Sequence, residues 1–95
     1  MNLLHFIGSF HTEVAKMLDS VDNAGEANGY LEWVNGRVDG CEIYLLWFPK
    51  TRRLAYLVRG SGRRKEGEVE LKNSLDAIAF AERLIQQLKS GKLQT

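Results

Sequence analysis

The chain has 95 residues, 44% hydrophobic and 26% charged, with thirteen Lys and Arg against twelve Asp and Glu. That is the size of one domain with a modest core, and the single cysteine, Cys41, excludes an internal disulfide, as suits a reducing compartment. The charge is uneven: −5 over residues 1–49, +7 over 50–65 and −1 over 66–95.

From Leu3 to Val21 the apolar residues Leu3, Phe6, Phe10, Val14, Met17, Leu18 and Val21 recur at three- and four-residue spacing, which predicts a helix weakened at Gly8 and Ser9. The apolar start, Leu3 to Phe10, lacks the basic flank and small-residue cleavage site of a signal peptide. No stretch reaches the ~20 apolar residues of a membrane helix. A cytoplasmic protein with no membrane partner is expected.

Asp22 to Gly29 is polar and reads as a loop. Tyr30 to Val34 reads as a strand, followed by two hairpin signals, Asn35-Gly36 and Asp39-Gly40, either of which can centre the turn. Glu42 to Phe48 and Leu54 to Val58 are strands with apolar residues on both faces, joined by a turn that Pro49 presets. Gly60-Ser61-Gly62 reads as a flexible connector. Glu66 to Leu71 alternates, with Glu66, Glu68 and Glu70 on one face and Val69 and Leu71 on the other. Ser74 is placed to cap a last helix whose apolar arc is Ala77, Phe80, Ala81, Leu84, Ile85 and Leu88, with Gly91 as its stop. The expected fold is α+β, a single domain spanning 1–95: a four-stranded antiparallel meander flanked by an N-terminal and a C-terminal helix, α-β-β-β-β-α.

The doubly apolar strands carry a consequence. Cys41, Ile43, Leu45 and Trp47 share one face and Tyr44, Leu46 and Phe48 the other. Exposed apolar patches beyond a few hundred Å² are rare on monomers. Either one helix covers each face or a second protein covers one of them; a homodimer is the expected answer.

Little in the chain points to catalysis. His5 and His11, about 240° apart on a helix, cannot share a metal, and there is no Cys-x-x-Cys. Ser9 lies four residues from His5, but no orienting acid or oxyanion donors are marked. The Glu66, Glu68 and Glu70 row reads first as protection of an edge strand. Gly60 to Lys65 lacks the terminal Ser/Thr and following helix of a phosphate loop. No cofactor and no metal are expected, and an enzyme is not the first reading.

The basic cluster is the pointer to a partner. Lys50, Arg52, Arg53, Arg59, Arg63, Arg64 and Lys65 occupy two turns and the strand between them, with no acidic residue between Glu42 and Glu66. Two basic tips can straddle phosphates or carboxylates while Trp33, Tyr44, Trp47, Phe48 or Tyr56 stack on bases or form an interface. The plainer alternative is a set of solvated turns. The expected function is a small non-enzymatic interaction protein, dimeric, binding an acidic partner that is either nucleic acid or protein.

The run Tyr44-Leu45-Leu46-Trp47-Phe48-Pro49-Lys50-Thr51-Arg52-Arg53-Leu54-Ala55-Tyr56-Leu57-Val58-Arg59-Gly60 resembles the strand-turn-strand of the small ribosome-dependent ribonuclease toxins of toxin–antitoxin pairs, in which a basic loop follows a core hairpin. That resemblance implies ribonuclease activity as the enzyme alternative. The chain departs from those toxins in its near-neutral charge and in having no equivalent of their catalytic tail residues. Its size and lack of motifs are also similar to accessory proteins of phages or gene cassettes, hence of mobile elements. A third alternative is a structural assembly subunit that associates through an apolar sheet face.

Overall fold

The computed structural model describes residues 8–91. In chain order it has α1 (Phe10–Ala15), β1 (Ser20–Ala27), β2 (Leu31–Val38), β3 (Cys41–Phe48), β4 (Arg53–Gly60), β5 (Arg63–Glu70) and α2 (Ser74–Lys89). The strands form one antiparallel sheet in the order β1-β2-β3-β4-β5. The α+β meander with flanking helices is therefore as expected, but it has five strands rather than four.

The extra strand comes from the stretch expected to finish the first helix and run into a loop. Among the described residues the helical stripe holds over Phe10–Ala15, where Phe10 and Val14 are buried; its beginning, with His5, lies outside the described residues. Glu13 reaches back to the Gly8 N–H (2.9 Å), and that bond, with Lys16, holds its carboxyl below the usual glutamate range. At Asp19 the chain turns extended: its N–H donates to the Arg37 carbonyl at 2.9 Å and its carboxylate accepts the Asp39 N–H at 2.8 Å. Ser20 to Ala27 then pairs along β2, with a bulge between Val21 and Asn23. The Asn28-Gly29 turn that closes this hairpin has positive φ at both residues, as tight hairpins require.

The hairpin from β2 to β3 turns at Asp39-Gly40. Asn35-Gly36, the competing signal, lies inside β2. Gly36 serves a different purpose: a Cβ there would stand 2.1 Å from the Ser20 carbonyl oxygen, so only glycine lets the bulged β1 approach. Gly60-Ser61-Gly62 is not a loose connector. Ser61 and Gly62 are a two-residue turn, both at positive φ. The cap of α2 is Asn73, one residue before the expected Ser74. Its side chain accepts the Asp76 N–H at 2.9 Å, which frees the Ser74 hydroxyl to accept the Trp47 Nε1–H at 3.3 Å.

Both helices lie on the same side of the sheet. Val34 and Val38 of β2, Cys41, Ile43, Leu45 and Trp47 of β3, and Leu54 and Val58 of β4 pack with Phe10 and Val14 of α1 and Ala77, Ala81, Leu84, Ile85 and Leu88 of α2 in one core. The arrangement with a helix on each face is thus excluded, and no helix of the described residues covers the second face. No described helix is long and apolar enough to cross a membrane.

Candidate functional site

Register alone assembles the uncovered face. Across β2, β3, β4 and β5, Trp33 stands beside Leu46, Leu46 beside Ala55 and Ala55 beside Glu68; the next row is Asn35, Tyr44, Leu57 and Glu66. Leu31 and Phe48 extend the apolar surface toward one end of the sheet. Leu46 is its most exposed member, at 39%. A shallow groove of about 300 Å³ is lined by Tyr44, Leu46, Ala55, Tyr56 and Leu57. Ala55 and Leu57 were not singled out in the sequence. Their alternation with the buried Leu54 and Val58 carried that information once β3 and β4 were known to pair.

Trp33 shows how the edge of this surface is built. Its indole lies across Gly25 of β1, and its Nε1–H donates to the Asn23 side-chain oxygen at 2.9 Å. Tyr44 is set by charge: its hydroxyl donates to Glu42 at 3.3 Å, and the Arg59 guanidinium sits 5.5 Å from its ring centroid while donating to Glu42 at 3.0 Å. Arg59 draws the Glu42 carboxyl below its usual range, and Glu42 in turn raises Arg59, with Tyr44 adding to both effects.

The seven basic residues do not gather into one patch. Arg53 pairs with Glu68 at 3.1 Å, Arg59 with Glu42 at 3.0 Å, Arg64 with Glu66 at 3.0 Å and Arg52 more loosely with Glu70 at 3.9 Å. Glu68 of β5 meets Arg53 of β4 across the ladder and Glu70 meets Arg52 in the turn before it, juxtapositions that the linear sequence conceals, whereas Glu66 pairs with Arg64 on its own strand. Lys50, at the tip between β3 and β4, has no carboxylate partner among the described residues. Arg63 and Lys65 point to the helix side of the sheet, away from Arg53, Arg59 and Arg64, because neighbouring strand positions face opposite ways.

The aromatic candidates divide in the same manner. Trp33, Tyr44 and Phe48 are on the open face. Trp47 is in the core at 1% exposure, its ring 6.2 Å from Phe10. Tyr56 lies under α2, 5.4 Å from Phe80, with the hydroxyl end of its ring against Gly67. Neither ring is placed to stack on a base or to meet a partner on the open face.

One constellation has the residue types of a hydrolase. Ser9, His11 and Glu32 come together, with His11 Nδ1 2.6 Å from Glu32 and 3.2 Å from the Ser9 hydroxyl. Both contacts fall on the same ring nitrogen, whereas a serine nucleophile needs its base at one nitrogen and the acid at the other. The pair instead anchors α1 to β2: Glu32, 6% exposed, also accepts the His11 backbone N–H at 3.0 Å. Among the described residues no group of three or more His, Cys, Asp or Glu could hold a metal ion. Compared with known families, curated proteins and solved structures, the chain matches none.

Proposed function

We propose that the chain is a non-enzymatic association module whose working surface is the open face of its sheet, and that the occupant of that face is a second copy. The observation that carries this reading is the placement of both helices on one side, which among the described residues leaves Leu31, Trp33, Tyr44, Leu46, Phe48, Ala55 and Leu57 as a contiguous apolar surface.

Three arguments favour a like partner. On β2 to β5 the open face carries four arginines, Arg37, Arg53, Arg59 and Arg64, against four glutamates, Glu42, Glu66, Glu68 and Glu70. A neutral face with six of those eight charges paired to one another meets no net repulsion from a copy of itself. Five strands of eight residues span about 24 by 27 Å, so two faces together remove roughly 1,300 Å² of plan area, within the range of specific interfaces. Two sheets of identical twist also pack face to face at about −30° without reshaping either.

Sedimentation across a micromolar concentration series tests the proposal. The wild type should be a dimer, and L46E with L57E, both on the open face and outside the core, should be a folded monomer. A wild type that stays monomeric throughout sinks the reading.

A further inference from the structure

We infer that the cleft between α2 and β5, on the side of the molecule opposite the open face, is an oxyanion site that takes the phosphate of a small hydroxylated phosphate ester. α2 packs over β2 and β3, so the helix side of β5 is only partly roofed. Arg63 and Lys65 face that side, two residues and hence about 7 Å apart. A cleft of about 100 Å³ is lined by Lys65, Phe80, Arg83, Leu84 and Gln87. A groove of about 380 Å³, lined by Arg83, Gln86, Gln87 and Ser90, shares two of those residues.

The cations here differ from the paired arginines of the open face, where Arg37 alone has no carboxylate partner among the described residues. Among the described residues Arg63, Lys65 and Arg83 have no carboxylate partner, whereas Arg52, Arg53, Arg59 and Arg64 all have one. Arg83 is held at the cleft wall by the Phe80 ring, 5.9 Å from its centroid. The Arg63 Nη1 is shut off from solvent with no hydrogen-bond acceptor. Arg63 does not line the cleft, and an atom closed to solvent meets no solute without moving, so Arg63 adds its charge beside the site and not a hydrogen bond within it. The carbonyl end of α2 lies nearby and opposes an anion, but it amounts to about half a charge against three cations, with Lys89 in the same last turn.

The ligand class follows from the two compartments. The cleft falls well short of the ~300–1,000 Å³ of a complete small-molecule site, so it holds the oxyanion alone. Arginine meets phosphate oxygens with paired, charge-assisted hydrogen bonds. The larger groove offers amides and a hydroxyl, Gln86, Gln87 and Ser90, and no aromatic ring, which suits the hydroxyls of a polyol better than a base.

The test is an NMR titration of the whole chain with inorganic phosphate, glycerol 3-phosphate and glycerol. Saturable shifts at the amides of residues 63–65 and 80–90 are expected, with glycerol 3-phosphate binding more tightly than phosphate and glycerol producing none. R83Q and K65Q should each raise the Kd about tenfold, and K72Q should leave it unchanged. Shifts that fail to saturate, or a Kd that R83Q and K65Q leave alone, overturn the site. Glycerol 3-phosphate binding no tighter than phosphate overturns the polyol assignment. The spectra report folding of each variant directly, and none of these readouts depends on association through the open face.

Discussion

Trp33 and Gly25 are one structural unit. The indole of the β2 residue lies so close over the β1 glycine that an added Cβ would stand 2.7 Å from its Cζ2. A ring laid across an edge glycine covers backbone that would otherwise be bare, and Tyr56 repeats the device over Gly67 at the other edge and on the other face. A rigid indole cannot yield by rotating a tip, so Gly25→Ala must displace it and break its bond to Asn23. Urea unfolding should show Gly25→Ala less stable by about 1–3 kcal/mol. In a Trp33→Ala background the same change should cost much less, because the ring it strikes is gone.

Why β1 escaped the sequence while β3 and β4 did not follows from this pairing. Glu42 to Phe48 and Leu54 to Val58 announce themselves through apolar and β-branched side chains. Asp22-Asn23-Ala24-Gly25-Glu26-Ala27 has almost no intrinsic strand preference, and is held by a partner strand, a tight turn and a tryptophan supplied from elsewhere. The clue present was Asn28-Gly29, the same hairpin signal as Asp39-Gly40. The two apolar faces of the central strands were legible from alternation. The pairing of Glu68 with Arg53 and of Glu70 with Arg52 was not, because it depends on register across a turn.

His11 and Glu32 give a second stability test. The Glu32 carboxylate is nearly buried and holds the first residues of α1 through the His11 ring at 2.6 Å and backbone at 3.0 Å. His11→Ala removes the ring partner and leaves the carboxylate with the backbone N–H alone. Chemical denaturation should register a loss of about 2–4 kcal/mol. Glu32→Gln, which keeps an acceptor in place, should lose less than half as much. Equal losses would mean that the charge of the carboxylate, and not merely an acceptor at that place, holds His11.

Glu42 links the open face to pH. Its carboxyl is lowered chiefly by the Arg59 hydrogen bond. The folded state therefore binds this proton less readily than the unfolded chain. The resulting stabilisation is complete above the unfolded glutamate pKa and is lost as pH falls through the lower, folded value. Carbon-detected NMR titration should find Glu42 protonating below the ordinary glutamate range in the wild type and returning to it in Arg59→Gln. Since the side chains are largely solvated, the accompanying change in stability at neutral pH should be small.

Arg52 tests whether a basic residue at a turn is there for its charge. It sits at φ 61, in the left-handed region, and its backbone is fixed at both ends: its N–H donates to the Phe48 carbonyl at 2.7 Å and its carbonyl accepts the Leu71 N–H at 2.8 Å. A residue with a Cβ pays about 1–2 kcal/mol to be there. Its side chain returns little, since the contact with Glu70 is 3.9 Å long and both partners are more than half exposed. Arg52→Gly removes the backbone strain but gives the unfolded chain more freedom, so the net gain should be about 0.5–1 kcal/mol. Arg52→Ala keeps the strain and loses only the weak ion pair, so its stability should lie within about 0.5 kcal/mol of the wild type. Thermal unfolding of the two variants separates the contributions. A glycine variant less stable than the alanine one would show that the arginine side chain, not the backbone geometry, governs this turn.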